Sequence, residues 1–325
     1  MAKTYTELLG ENFARQIEFL NIKKYHEMDF KGKGITILNA EGAGDHREMT
    51  SQVIRDYVPE ANLLESSISV RTSGDKVLEA TVTINGEKID FEQAIDKYNI
   101  KIITRSYEGS SSAAFLNYLK DIQKRKDVIF FCSAGNLEDH IGVWSKNNTA
   151  ITVSASKLKE DGTIVLSYYG GKSAEEEEID FTCFMARGQG TSAASPALAA
   201  MVALLLQRYG YFNQLECVEL LKSLCIDLGD IGRDNRHGWG LPVLPLTDRL
   251  EILDNMRKGA EYMEFADVNV SDWFKDAVEK AANEGLVQGY EDGTFKPNKS
   301  ITRAEAAVLA NRILDKAVEK MRKEL

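Results

Sequence analysis

The chain is poor in the residues that mark specialised classes. Its 325 residues include four cysteines, Cys132, Cys183, Cys217 and Cys225. None forms a CxxC pair and none stands beside histidines at zinc-ligand spacing, so no metal centre is predicted. Isolated thiols of this kind behave as small buried hydrophobes, and nothing demands a disulfide. Positive charge is in deficit: 40 Lys and Arg face 50 Asp and Glu, a net charge of −10. Such a surface repels phosphate backbones and argues against nucleic acid as a partner. No apolar run reaches the roughly 20 residues that span a bilayer. The opening "MAKTYTELLGENFARQ" lacks the apolar stretch of a secretory signal. That predicts a chain that stays in the cytoplasm, leaves by another route, or has lost a leader. Histidine is scarce as well: His26, His46, His140 and His237.

What is present is an alternation. Residues 5–27 show helical spacing, and "KGKG" (31–34) turns the chain into the strand "ITIL". "REMTSQVI" reads as a helix, with Asp45 and Glu48 in capping-box register at its start. Further strands are expected at 61–70, 100–106, 127–136 and 150–156, and further helices at 91–98, 113–125 and 193–210. "EEEEID" (175–180) reads as a solvated loop. Strands alternating with helices of this length predict an α/β fold: a mostly parallel sheet with helices on both faces. Sites in such sheets gather beyond the carboxyl ends of the strands, where Asn39, Ser106 and Asn136 fall. After "PVLPL" (242–246) the composition turns to charged helix, and a separate small helical unit begins near Phe265. The expected division is 1–246, a linker over 247–264, and 265–325.

Ser192, in "GQGTSAASP", opens the apolar helix. A serine there is either a plain cap or a nucleophile beside backbone N–H groups able to hold an oxyanion. A nucleophilic serine needs a base. Of the four histidines, only His46 follows a strand-to-Gly-loop transition and opens a helix. The chain order is then Asn39, His46, Asn136, Ser192.

These segments resemble the subtilisin-like serine protease family. "GKGITILN" is similar to its first strand, "DHREMTSQVI" to its His helix and "YVPEANLL" to a following strand. "SYEG" resembles the substrate-binding strand, "SAGN" the oxyanion motif, "GTSAASP" the nucleophile motif and "HGWGLPVL" the closing segment. The resemblance implies a serine endopeptidase acting on peptide or protein substrates without a cofactor. It makes Ser192 the nucleophile, His46 the base and acid, and Asn136 the oxyanion donor beside the Ser192 N–H. Ser106, Glu108 and Gly109 would line the substrate strand, and Ser133, Ala134 and Gly135 one pocket wall. Glu108 replaces a family glycine, which predicts a preference for a basic side chain before the scissile bond.

Two departures bear on catalysis. Asn39 stands where the family has Asp, as third triad member, and the Asp-to-Asn change in the well-known triad lowers kcat by about four decades. Only six residues separate Asn39 from His46, fewer than the family normally has, so Glu41 is the alternative third member. Asp45 is better explained as a helix cap. His237, in "RHGWG", is expected to serve packing or a turn. A catalytically impaired, peptide-binding relative is the competing function.

Residues 265–315 show an apolar stripe at Trp273, Ala277, Val278 and Ala281, a helix stop at Gly285, an Asp-Gly turn, and a Thr302/Glu305 capping box. "DGTFKPN" and "ITRAE" resemble an S-layer homology module, whose family binds anionic polymers of the bacterial cell wall. By that resemblance Asp272, Trp273, Gly289 and Arg303 are candidate contacts to a cell-wall polysaccharide. Such modules usually come in threes and one is recognised here, so association of three chains is one expectation. The module points to the cell surface, against the cytoplasmic expectation from the N-terminal stretch.

Overall fold

The computed structural model describes residues 10–106, 112–126, 128–136, 149–167, 179–185, 190–254, 265–268, 272, 274–283, 286–287, 289–290 and 292–323. The chain divides into two compact units, Met1–Arg249 and Leu250–Leu325.

The larger unit opens with α1 (Glu11–Phe19) and α2 (Ile22–Glu27) rather than one continuous helix. The break falls at Asn21, whose φ of 60° is left-handed and which donates to Leu244 O at 2.8 Å. Asparagine is one of the few residues that tolerates this conformation. Next come β1 (Thr36–Asn39), α3 (Asp45–Tyr57) and β2 (Asn62–Glu65). A three-stranded antiparallel sheet follows: β3 (Ser69–Ser73), β4 (Lys76–Ile84) and β5 (Glu87–Asp90). The single strand expected over 61–70 is therefore split between two sheets. The β4–β5 hairpin turns at Asn85 and Gly86, with φ of 52° and 80°, the signature of a type I′ turn.

Helix α4 (Phe91–Lys97), β6 (Ile100–Arg105), α5 (Ala113–Arg125), β7 (Ile129–Ser133), β8 (Ile151–Leu158), β9 (Ile164–Leu166) and β10 (Phe181–Phe184) complete the sheet. Its order is β10-β8-β7-β6-β1-β2, parallel throughout, with β9 antiparallel on β8. Strands covered on both faces read as unbroken apolar runs, and every residue of β1, β7 and β10 is buried. Leu38, Ile103, Phe130 and Cys132 pack toward α4, α5 and β4. Alternation turns Ile37, Ile102 and Phe131 to the opposite face. Helix α6 (Thr191–Tyr209) packs against β6, β7, β8, β10 and α3. Its residues Thr191–Leu206 are all buried, which is why the helix is apolar all round. Helix α7 (Gln214–Ser223) and the short pair β11 (Cys225–Ile226) and β12 (Leu241–Pro242) close the unit.

The smaller unit contains α8 (Lys275–Asn283) and α9 (Arg303–Lys323). Val278 and Ala282 bury against Phe265, whereas Ala277 is exposed. Val278 thus faces inward as expected, Ala282 buries in addition, and Ala281 is half-buried; Trp273 and Gly285 lie outside the described residues. Asp267 accepts from the N–H groups of Phe295 and Lys296, both at 2.7 Å, and clamps the turn at Gly293. Thr302 and Glu305 form the expected reciprocal cap at 2.7 and 3.1 Å.

Candidate active site

Strands β1, β6 and β7 end side by side, at Asn39, at Arg105 followed by Ser106, and at Ser133 followed by Ala134, Gly135 and Asn136. His46 and Ser192 are each the second residue of a helix, α3 and α6. Both helices are preceded by a glycine with positive φ and no side-chain cap, Gly44 (130°) and Gly190 (68°). Asp45 is therefore not the cap expected from the sequence. It is the first helical residue, and Gly44 holds the cap position. With no capping side chain at either glycine, the first-turn N–H groups are left to other acceptors, and that of Thr191 goes to Asn136 Oδ1.

Glu41 is 1% exposed, yet it is ionisable. A buried carboxylate requires hydrogen-bonding partners, and this one has two. One oxygen, Oε1, accepts from the backbone N–H of Ser106; the other, Oε2, lies 3.3 Å from His46 Nδ1. The hydrogen bond from Glu41 raises the His46 pKa above its ordinary value, ahead of the opposing effect of partial burial. The His46 side chain remains 44% exposed, so its ring is accessible.

Asn39 is wired elsewhere. Its Nδ2 donates to Thr50 Oγ1 and Ser51 Oγ, each at 2.8 Å, and at 3.5 Å to Arg47 O. Its Oδ1 is buried and has no hydrogen-bond partner among the described residues. Among the described residues no hydrogen bond joins it to His46. The residue expected first as the partner of His46 ties β1 to α3, and the expected alternative, Glu41, faces the imidazole.

Ser192 is 9% exposed, and its hydroxyl donates to Ser106 O at 3.3 Å. Asn136 Oδ1 accepts from Thr191 N at 2.9 Å and from Thr191 Oγ1 at 3.0 Å. This fixes the amide with its NH2 group turned away from Thr191. Pro196 sits inside α6. Lacking an N–H, it leaves the Ser192 carbonyl without its usual helical donor. Thr104 Oγ1 and Ser195 Oγ, 3.3 Å apart, pin β6 to the same first turns. Sequence reasoning passed over Thr191, although it stands inside the "GTS" motif.

Ser133 and Ala134 are buried, and Ala134 donates to Val153 O at 3.0 Å. Gly135, with φ of 95°, lets the chain turn into Asn136. Glu108, Gly109 and His140 lie outside the described residues. His26 is buried, with Nε2 2.8 Å from Tyr57 O, and burial lowers its pKa. His237 belongs to a turn in which Asp234 Oδ1 accepts from the N–H groups of Arg236 and His237 at 2.7 Å.

In the smaller unit, a cavity of 430 Å³ is lined by Tyr290, Lys296, Lys299 and Arg312 among others. Lys296 and Lys299 stand 4.3 and 4.5 Å from the Tyr290 ring centre, within cation–π range. Asp272, Gly289 and Arg303 do not line this cavity, and Trp273 is outside the described residues. A Cβ on Gly289 would collide with the Phe265 ring. Close packing against Phe265 is sufficient to require glycine there.

Comparison with known proteins sets these units in context. A family model described as "Subtilase family" matches residues 58–240, more than half of the chain, and one described as "S-layer homology domain" matches residues 264–307. The first match contains Ser106, Asn136 and Ser192 and begins after Asn39, Glu41 and His46. The chain is 31% identical over 109 residues to the minor extracellular protease Epr of Bacillus subtilis, covering 34% of this chain and 14% of that protein. It is 37% identical over 71 residues to the outer membrane protein SlpA of Thermus thermophilus, 22% of this chain and 8% of that one. The chain thus spans a small part of the length of these relatives. Fervidolysin from Fervidobacterium pennivorans, a keratinolytic enzyme related to subtilisin, shares the fold: TM-score 0.51 at 15% identity, over 73% of this chain and 47% of that one.

Proposed function

The chain belongs to the subtilase family and carries an S-layer homology domain, and on that premise we propose that it is a serine endopeptidase whose third triad member is Glu41. Ser192 attacks a peptide carbonyl, and His46 takes its proton and later delivers it to the leaving amine. The Asn136 NH2 group and the Ser192 N–H hold the oxyanion, which lowers the barrier because both are oriented beforehand. Glu41 keeps the proton on His46 Nδ1 and stabilises the imidazolium as it forms. The observation that carries this reading is the buried carboxylate 3.3 Å from His46 Nδ1. Hydrolysis of casein by the wild-type chain, lost in Ser192→Ala, tests it. Intact casein under conditions in which subtilisin cleaves it would refute it.

One observation favours a second reading, a peptide binder without turnover: the Ser192 hydroxyl is engaged by Ser106 O and makes no hydrogen bond to His46 among the described residues. Hydroxyl-to-imidazole bonds often tighten only when substrate is bound, so the first reading stands ahead. Selectivity for a basic residue before the scissile bond, through Glu108, belongs to the first reading. A peptide panel preferring acidic or aromatic residues there would remove it.

The C-terminal module anchors the chain at the cell surface in this account, through an anionic cell-wall polymer. Lys296, Lys299 and Arg312 around Tyr290 supply the charge and a flat apolar surface. Val308, Ile313 and Leu314 are exposed along α9, and Ile301 just before it, which supports association of three chains through this helix. A monomeric mass by light scattering would rule out the trimer.

A further inference from the structure

The β1–β6 ladder runs one residue past β1, where Ala40 N donates to Thr104 O at 2.8 Å. In a continued parallel ladder the next β6 amide, that of Ser106, would go to a β1 carbonyl. It goes instead to the Glu41 carboxylate, which comes from the loop after β1. A buried N–H must have a partner, and a charged acceptor makes the stronger bond. The Ser106 carbonyl, in turn, holds the Ser192 hydroxyl. Base, strand end and nucleophile are thus linked through one side chain whose two oxygens have separate partners.

Resting on the proposed peptidase reading, we infer that Glu41 is a positioning residue for the peptide as well as for His46: Oε2 orients the base, and Oε1 fixes Ser106, the first residue of the segment that pairs with substrate. The two roles separate by substitution. Glu41→Gln can keep its single amide oxygen on Ser106 N–H, which turns its NH2 group toward His46. Glu41→Ala removes both acceptors. Glu41→Met also removes both while keeping the volume.

The test measures kcat and KM on casein, and the affinity of fluorescein-labelled casein for Ser192→Ala carrying each change. Glu41→Gln should lower kcat by about four decades while KM and affinity stay within about twofold. Glu41→Ala and Glu41→Met should, in addition, weaken casein binding by about fivefold or more, the effect of a displaced strand end. Equal casein affinity in Ser192→Ala with and without Glu41→Ala overturns the inference. A wild-type chain that binds but never hydrolyses casein, with the weakening by Glu41→Ala intact, removes the catalytic reading and leaves the positioning role. Failure of Ser192→Ala to bind casein contradicts both. If neither Ala nor Met at 41 folds, hydrogen exchange of wild type decides: the Ser106 amide must be protected, and fast exchange overturns the inference.

Discussion

Glu41 Oε2 lies 3.3 Å from His46 Nδ1, five residues away along a loop with glycines at 42 and 44. The pair places a buried negative charge against an accessible imidazole. It gives the site the carboxylate that Asn39 cannot provide, from one turn of loop further along.

The pair has a pH signature. The Glu41 hydrogen bond holds the His46 pKa above 6.5. Stability from the pair is present while His46 is charged, below its unfolded pKa, and is lost as pH rises through the raised folded value. A general base must be neutral, so kcat/KM should rise through that same raised pKa. Glu41→Gln should move this acid limb to lower pH as it lowers the rate. An acid limb unchanged in Glu41→Gln, followed by the pH profile of casein hydrolysis, would detach the two residues.

Asn39→Asp should not improve the enzyme. The side chain is 1% exposed and hydrogen-bonds Thr50 and Ser51, so a charge there is buried and, among the described residues, has no hydrogen bond to His46. The expected loss of stability is about 1–3 kcal/mol, seen in urea unfolding, with no gain in kcat/KM. A gain of several decades would make position 39 the third member after all.

Asp180 offers a separate test of the unit that carries the site. It pairs with Arg233 at 3.0 Å and accepts from Thr152 N at 2.8 Å. Burial nonetheless pushes its carboxyl up to about 6, ahead of those opposing contacts. With a folded pKa above the unfolded 3.8, the native state binds the proton more tightly, so stability falls as pH rises through that window. Between pH 4 and 7 the stability of wild type relative to Asp180→Asn should fall by about 2 kcal/mol. Parallel stability–pH curves would contradict the assignment.

In the C-terminal module, Gly289→Ala should destabilise the module by about 1–3 kcal/mol through overpacking. The added Cβ meets the Phe265 ring and lies 2.9 Å from Thr294 O. Thermal unfolding of the full chain measures this. Polymer binding should depend instead on Lys296, Lys299 and Arg312, and binding to isolated cell walls should weaken with salt. Loss of binding in Gly289→Ala at unchanged stability would return position 289 to the ligand site.

The parallel sheet was legible because strands buried on both faces are written as apolar runs, as in "IFFCS". The antiparallel sheet over 69–90 was not recognised from its half-exposed strands, although "NG" at 85–86 announces its hairpin. The ends of β1, β6 and β7 and the openings of α3 and α6 were read from motifs in order. The choice between Asn39 and Glu41 could not be made from local sequence. What supports Glu41 is its contact with the Ser106 amide, 65 residues away, together with the hydroxyls on α3 that claim Asn39. The Asp45 cap failed for a local reason: Gly44 adopts a φ of 130° and takes the cap position, starting the helix one residue earlier than the pattern suggested.

The most direct measurement of the central claim is the rate of labelling by a fluorophosphonate probe, compared between wild type and Glu41→Gln with Ser192→Ala as blank. The account predicts covalent labelling of wild type at Ser192, none in Ser192→Ala, and a rate in Glu41→Gln lower by several decades, up to about four. Wild type that stays unlabelled beside an active subtilisin, or labels no faster than Glu41→Gln, would contradict it.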